Sequence, residues 1–438
     1  MNIGLIAMSG IRCQDPELLE LGLTLPGFVE RSAAIASLPS LGLLTLAGMT
    51  PDRHGVRYWE VADLAEMDRL PEGLDLVAIS SFTAQVLEAY ELADRFRAAG
   101  VSVVLGGLHV TSLPEEAGRH ADAVVVGEGE PVWPGVLADA EAGRLKRRYG
   151  PALSEKGGDF DMAEAPMPRY DLLDVSRYNR ITVQTSRGCP LKCEFCASSI
   201  LLTRRYKQKP VGRVLAEVDA VRRIWRRPFL EFADDNSFVN RPYWRELLPR
   251  LASRRVRWFT ECDLRVHEDE ELLRLMRRSG CAEVLIGFES PLPGDLSGLE
   301  LKSDWKRRHW GEYREAVRRI QSHGIRVNGC FILGLDSHGP EIFDAVEDFA
   351  NDTGLYDVQI TYQTPFPGTP LYERLHAEGR LTHPGRWDRC TLFDVNYVPK
   401  RMTAEQLRAG FHDLTRRLYG EEATRRRRAG FRHVRRAA

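Results

Sequence analysis

Short apolar runs rich in valine and isoleucine alternate with amphipathic stretches along most of the chain, and this alternation restricts the fold more than any other feature. In the first third the runs are Ile3 to Ala7, Val56 to Val61, Leu74 to Ser80, Val101 to Leu105 and Ala121 to Val126. Continuous apolar runs of this length suit strands buried on both faces of a parallel sheet. The clearest helix between them is Ala84 to Ala99, with Leu87, Tyr90, Leu92 and Phe96 at broadly helical spacing and Gly100 as the stop. Strand, helix, strand, repeated, predicts an α/β doubly wound parallel sheet. Pro151 to Arg180 is rich in glycine, proline and acidic residues without sustained periodicity, and reads as a linker. The alternation then restarts with strands Ile181 to Gln184, Pro228 to Ala233, Val256 to Thr260, Glu283 to Phe288, Arg326 to Leu333 and Asp357 to Tyr362. Helices are expected between them at Val211 to Arg226, Arg241 to Ser253, Asp269 to Ser279, Asp304 to His323 and Pro340 to Thr353. Six such units predict a partial (β/α)6 barrel.

Ligands of parallel sheets sit at the carboxyl ends of the strands. In the first unit this singles out the loops Met8-Ser9-Gly10, Ser80-Ser81-Phe82-Thr83, Gly106-Gly107-Leu108-His109 and Gly127-Glu128-Gly129-Glu130. Their glycines serve either close approach to a ligand or tight strand-to-helix turns. In the second unit Asp234, Asp235 and Asn236, then Glu261 and Arg265, then Glu289 and Ser290 follow successive strands and are expected to face one mouth. Helix capping is the competing reading of the Asp234 trio.

The chemistry concentrates in TSRGCPLKCEFCAS, Thr185 to Ser198, where Cys189, Cys193 and Cys196 fall within eight residues as C-x3-C-x2-C. Short turns between them bring three thiolates to one side of a loop. A closed zinc site needs four ligands, and no second pair or histidine stands at the usual offset. An iron–sulfur cube held by three cysteines keeps one iron open for a substrate or cofactor. Cys262, Cys281, Cys330 and Cys390 lack ligand spacing and read as small buried hydrophobes, with an approach of Cys330 to the mouth as the alternative, and Cys13 alone in the first unit makes no second cluster there. A length of 438 residues calls for two domains or more, and 61 basic against 62 acidic residues gives no global case for nucleic acid or an anionic membrane. No apolar run reaches the length of a membrane span and no signal peptide precedes the first strand, so a cytoplasmic protein is expected.

The cysteine loop, with Phe195 just before its third cysteine, resembles the signature of the radical S-adenosylmethionine (SAM) superfamily. The resemblance implies a [4Fe-4S] cluster on Cys189, Cys193 and Cys196, and reductive cleavage of SAM to a 5′-deoxyadenosyl radical. It makes Phe195 a SAM-binding candidate, and places the segment Phe232 to Phe238, with Asp234 and Asp235, at the methionyl amino group and Arg265 at the methionyl carboxylate. Glu289 falls at the ribose hydroxyls, and Gly334, within Gly329 to Leu335, along the adenine. Residues 1–150 resemble the cobalamin-binding-type domain found ahead of many such enzymes, with Ser9, Ser81, Gly106, Gly107, Gly127 and Glu128 as cobalamin-binding candidates. The D-x-H-x-x-G motif of the histidine-ligated form is missing. Asp52-Arg53-His54-Gly55 reads instead as a polar turn with a surface histidine, and His109 as a loop histidine. Cobalamin is therefore either held without a histidine ligand or lost from a retained domain. Thr364 to Pro370 resembles the sixth-strand turn of this group, and the region from Gly385 its C-terminal extension, within which Thr403 is expected to cap a helix. Arg425 to Arg436 reads as a frayed, solvated tail, with an anionic partner as the alternative.

These readings divide the chain into 1–150, a linker at 151–179, a barrel at 180–375 and an extension at 376–438. The activity they imply is cobalamin-dependent methyl transfer to a small-molecule or natural-product substrate, with a reductant such as flavodoxin or ferredoxin. Cobalamin-independent rearrangement, cyclisation or transfer of a SAM-derived group is the alternative. An iron–sulfur electron carrier or regulatory module has no use for the polar strand ends, and no motif supports nucleic acid.

Overall fold

The computed structural model describes residues 1–10, 12–18, 38–150, 160–202 and 205–437. Residues 151–159 of the expected linker lie outside the described residues. The first sheet is built from β1 (Asn2–Met8), β2 (Gly55–Val61), β3 (Leu76–Ser80), β4 (Ser102–Gly106), β5 (Ala123–Val125) and β6 (Arg148–Tyr149). All are parallel, in the order β2-β1-β3-β4-β5-β6. Strand order reverses at β1, which pairs Ile3 with both Val56 and Leu76, and the crevice beside such a switch point is where ligands bind. β6 was not anticipated: it is two residues long, and Val126 N donates to Tyr149 O at 2.9 Å to attach it. Residues alternate between the two helical layers, so Ile6, Ile79 and Leu105 meet helix Val86–Ala98 while Leu5, Ala78 and Val104 meet helices Leu41–Met49 and Trp133–Glu141.

The second sheet comprises β7 (Ile181–Val183), then, beyond a small ribbon of β8 (Ser186–Arg187) and β9 (Lys207–Gln208), β10 (Phe229–Ser237), β11 (Arg257–Cys262), β12 (Cys281–Glu289), β13 (Arg326–Leu333) and β14 (Asp357–Tyr362). Its order, β14-β13-β12-β11-β10-β7, is sequential and parallel throughout, an open arc of six strands. Leu230 and Phe232 of β10 and Trp258 of β11 are fully buried against the outer helices, where Phe232 lies 5.6 Å from Trp244 and 5.3 Å from Trp258. The alternate residues Glu231, Glu283, Asn328 and Gln359 are only partly buried, which gives the barrel a polar lumen.

Three expectations are corrected. The helix expected over Asp304 to His323 is a short helix Trp305–Arg308, a 3-10 turn Trp310–Glu312 and a helix Tyr313–Ser322. Asp304 enters it at φ +51°, and Lys306 and Tyr313 both reach back to β12. The arginine-rich tail is no frayed segment: helix Glu421–Ala437 packs on helix Tyr313–Ser322, with Arg427 3% and Phe431 7% exposed. His54 is buried, beside the amino terminus at 3.3 Å and Glu141 at 3.3 Å. His109 is held by Glu116 at 3.3 Å and lies edge-on to Trp387 at 5.1 Å. Thr403 caps helix Ala404–Tyr419 in a full capping box with Gln406. Residues 12–18 lie along this C-terminal region, with Gln14 N donating to Asp394 at 2.9 Å and Asp15 meeting His412 at 3.0 Å.

Candidate active site

The cysteine loop leaves β7 and is held at its base by the end of β10. Asp234, fully enclosed, accepts from the backbone N–H of Thr185 at 2.8 Å and of Ser186 at 2.9 Å, and from the Ser237 hydroxyl at 3.1 Å. Burial pushes its carboxyl up, against these donors. Asp235 accepts from Gly188 N at 2.6 Å and from the Ser198 hydroxyl, so it spans the loop. Asn236 donates toward Cys189 Sγ at 3.7 Å and to Asp263 at 3.1 Å. None of the three caps a helix; the next helix, Arg241–Ala252, is capped by Asn240. The opposite edge of the loop pairs with residues 299–301, Glu194 N donating to Leu299 O at 2.9 Å.

Cys189, Cys193 and Cys196 line one wall of a cavity of about 290 Å³ at the barrel mouth. Burial pushes the Cys189 thiol up, and the Cys193 thiol to about 12, so iron must displace protons on binding. Among the described residues no three His, Cys, Asp or Glu side chains converge on a single-ion site. Three thiols around one cavity suit a cluster, in which each sulfur holds a different iron.

Phe195, Asp235, Asn236, Glu261 and Glu289 line the same cavity, as do Lys306 and Cys330. Lys306 Nζ donates to Gly287 O at 2.7 Å and to Glu289 Oε1 at 2.5 Å. A Cβ on Gly287 would stand 2.4 Å from Glu289 Oε1, so only glycine leaves room for the pair. Glu289 itself sits at φ +63°, a costly conformation for a non-glycine residue that its lysine and neighbours hold in place. Glu261 exposes its carboxylate only to the lumen; enclosure by protein, with Glu231 and Asp235 nearby, raises it to about 7.

Three expected SAM residues lie apart from this wall. Asp234 is spent on the loop's backbone. Arg265 is half-exposed in the turn Leu264–Glu268 and clasps Glu268 at 3.1 Å. Gly334, at φ +89°, is covered by Tyr397, whose hydroxyl donates to Gly334 O at 2.6 Å. In the turn Thr364–Pro370, Thr364 and Phe366 reach the cavity, while Gly368 is pressed against Leu201 and Ser112.

A second cavity, of about 190 Å³, opens at the carboxyl ends of β3, β4 and β5 against helix Leu41–Met49. Gly106, Gly107, Gly127 and Glu128 line it, whereas Ser9 is buried under Val61 and Gln85, and Ser81 stands behind Gly107. A Cβ added at Gly42 or Gly127 would meet nothing within 4 Å, so these glycines keep the cavity open. Its far wall is Arg187 of β8, which pairs with Glu128 at 2.7 Å and Glu130 at 2.7 Å, while Lys207 of β9 meets Glu128 at 2.6 Å. Only Gly188 separates Arg187, a wall of this cavity, from Cys189, a wall of the first.

The family models matched are the radical SAM superfamily over residues 183–350, a B12 binding domain over 36–137 and a domain of unknown function over 369–437. Over 387 residues the chain is 30% identical to the bacteriochlorophyllide d C-12(1)-methyltransferase of Chlorobaculum tepidum, with 85% of this chain and 82% of the relative covered. The chain belongs to the radical SAM superfamily. It is an enzyme of the branch with a B12 binding domain ahead of the barrel. The hopanoid C-2 methylase of Rhodopseudomonas palustris is 28% identical over 89% of this chain and 72% of its own. Among solved structures, the radical SAM methyltransferase TsrM of Kitasatospora setae, with cobalamin and a [4Fe-4S] cluster bound, superposes with TM-score 0.64 at 16% identity, covering 100% of this chain and 99% of that one. A radical SAM enzyme works with a [4Fe-4S] cluster and SAM, and the B12 binding domain adds cobalamin. The donor sets fit. Three thiols on one wall would suit the cluster, and a glycine-lined slot without a histidine in its lining would suit part of a cobalamin held without a histidine ligand. Sequence reading missed Lys306 and Arg187 as site residues. Lys306 arrives from beyond β12, and Arg187 differs in no local way from its many arginine neighbours.

Proposed function

We propose that this radical SAM enzyme transfers a methyl group to a small-molecule or natural-product substrate in the cytoplasm, drawing electrons from a reductant such as flavodoxin or ferredoxin. The observation that carries the reading is a pair of cavities whose walls meet in sequence at Arg187-Gly188-Cys189: one lined by the three cysteines, the other by Arg187 and the glycine loops of the B12 binding domain. Relatives named for methylation of a bacteriochlorophyllide and of a hopanoid support methyl transfer. With cluster, SAM and cobalamin bound, the cofactors supply the radical and the methyl group. The chain's residues position and protect. Cys189, Cys193 and Cys196 hold the cluster, and Phe195, Asp235 and Glu289 receive SAM beside it, with Glu289 fixed by Lys306. Arg265, committed to Glu268, and Gly334, covered by Tyr397, take no direct part. Gly106, Gly107, Gly127 and Glu128 border the cobalamin slot. Domains at 1–150, 180–375 and 376–438, with a linker at 151–179, accompany this reading.

The test is anaerobic reconstitution with iron, sulfide and hydroxocobalamin, followed by counting of cobalt and iron and incubation with methyl-labelled SAM. About four irons with one cobalt per chain, and label in a product other than SAM, is the expected result. Iron with no cobalt would replace methylation by rearrangement, cyclisation or transfer of another SAM-derived group.

A further inference from the structure

The outer face of the cysteine loop is covered by a short ribbon. Leu301 N donates to Lys192 O at 2.8 Å and Glu194 N to Leu299 O at 2.9 Å, so Glu300 lies directly opposite Cys193. Glu300 is 2% exposed, and its carboxylate is turned inward: it accepts from the backbone of Lys192 at 3.2 Å, of Lys302 at 3.1 Å and of Ser303 at 2.7 Å, and from the Ser303 hydroxyl at 2.7 Å. With that negative charge internalised, the outward side chains are apolar or basic. Leu301 is 51% exposed, and Lys302, Arg307 and Arg308 are exposed around it. The acid on this outer stretch, Asp304, is partly engaged by Gly298 N at 3.0 Å and stands 3.9 Å from Arg307. An apolar centre with a basic rim is thus displayed by a chain whose net charge is -1.

We infer that this ribbon is the docking face for a small acidic protein that carries one electron, a reading that rests on Cys189, Cys193 and Cys196 being ligands of a redox cluster. The inner face of the loop is the cavity wall, where SAM and substrate belong, so a protein donor must come from outside. From the outside a covered path runs through Leu301 to Lys192 by one backbone hydrogen bond, and the next residue is Cys193. The carrier loses one electron and the cluster gains it; no bond forms and no proton moves. A small contact with an apolar centre and complementary rim charges suits such a partner, which must bind briefly and leave.

The test is SAM cleavage by the whole reconstituted chain, driven by reduced flavodoxin and, in parallel, by dithionite. In Lys302→Glu/Arg308→Glu and in Leu301→Asp, flavodoxin-driven cleavage falls by about tenfold or more at low salt, as loss of steering charges or of the central contact requires. Dithionite-driven cleavage stays at the unsubstituted level, and added salt slows the flavodoxin-driven reaction of the unsubstituted chain. Flavodoxin-driven rates that stay at the unsubstituted level in both variants overturn the docking face. Where a variant loses iron, titration of flavodoxin onto Lys302→Gln/Arg308→Gln decides instead, and unchanged, salt-insensitive binding overturns the proposal. Failure of the unsubstituted chain to cleave SAM with dithionite would overturn the cluster reading, not the docking face.

Discussion

At the scale of single residues, the two kinds of site side chain behave differently on removal. Cys193→Ser takes away one of the three thiols that the proposed reading makes ligands of the cluster. Bound iron after reconstitution falls, and reductive SAM cleavage drops to the level of the iron-free chain; iron analysis and detection of 5′-deoxyadenosine check both. Glu283, on the lumen side of β12, tests burial instead. Burial, and after it Asp357, lift its carboxyl to about 7, against Arg326 and Asn328. With the folded value raised, the unfolded chain ionises first as pH rises from about 4.5 to 7, and stability is lost over that window. Glu283→Gln removes the loss, so its melting temperature relative to the unsubstituted chain rises between about pH 5 and pH 8. A constant difference across that range would refute the assignment. The three cysteines could be singled out from sequence because their pattern is local, three thiols within eight positions, and the structure brings them to one cavity wall. Lys306 could not, because its role depends on meeting Glu289 across a turn whose left-handed entry at Asp304 no pattern announces.

At the scale of elements, close packing around glycine carries the tightest prediction. Helix Ala404–Tyr419 crosses helix Glu341–Thr353 at Gly410, where an added Cβ would stand 2.0 Å from Phe343 Cε2. Gly410→Ala gains a little helix propensity but forces this contact apart, at a net cost of about 1–3 kcal/mol. Urea unfolding measures it, and Gly410→Ala/Phe343→Leu, which trims the ring, recovers part of the loss. Strands were the more legible elements. β13 and β14 run over the residues their apolar pattern predicts, Arg326–Leu333 and Asp357–Tyr362, because a strand buried between helices needs a continuous apolar run. The two residues of β6 are too short for any periodicity to register. The C-terminal helix was obscured by its arginines: Phe431 beside Tyr356 at 5.1 Å and the buried Arg427 anchor it, while Arg425, Arg426, Arg428, Arg432 and Arg435 are exposed.

At the scale of the whole molecule, the junction between the two sheets is electrostatic where it matters most. Arg187 is enclosed between Glu128 and Glu130, with side-chain exposures of 18%, 9% and 7%, and Lys207 completes the group. Each of these charges is desolvated, so their value lies in being present together. Arg187→Met leaves two carboxylates enclosed against a single lysine and destabilises the protein by about 3–5 kcal/mol, the cost of breaking a buried pair from one side. Arg187→Met/Glu128→Gln/Glu130→Gln removes the stranded charge and regains most of that loss, because neutral groups of similar volume fill the same space. If the clasp also sets the distance between the cobalamin slot and the cysteine loop, the two readouts separate. The triple variant unfolds near the unsubstituted midpoint and still assembles its cluster, yet takes up less cobalamin in a spectroscopic titration, because Arg187 and Glu128 are themselves walls of that slot. Recovery of stability together with full cobalamin uptake would confine the clasp to holding the domains together; low uptake in a chain that is otherwise stable and iron-loaded would make it part of the site.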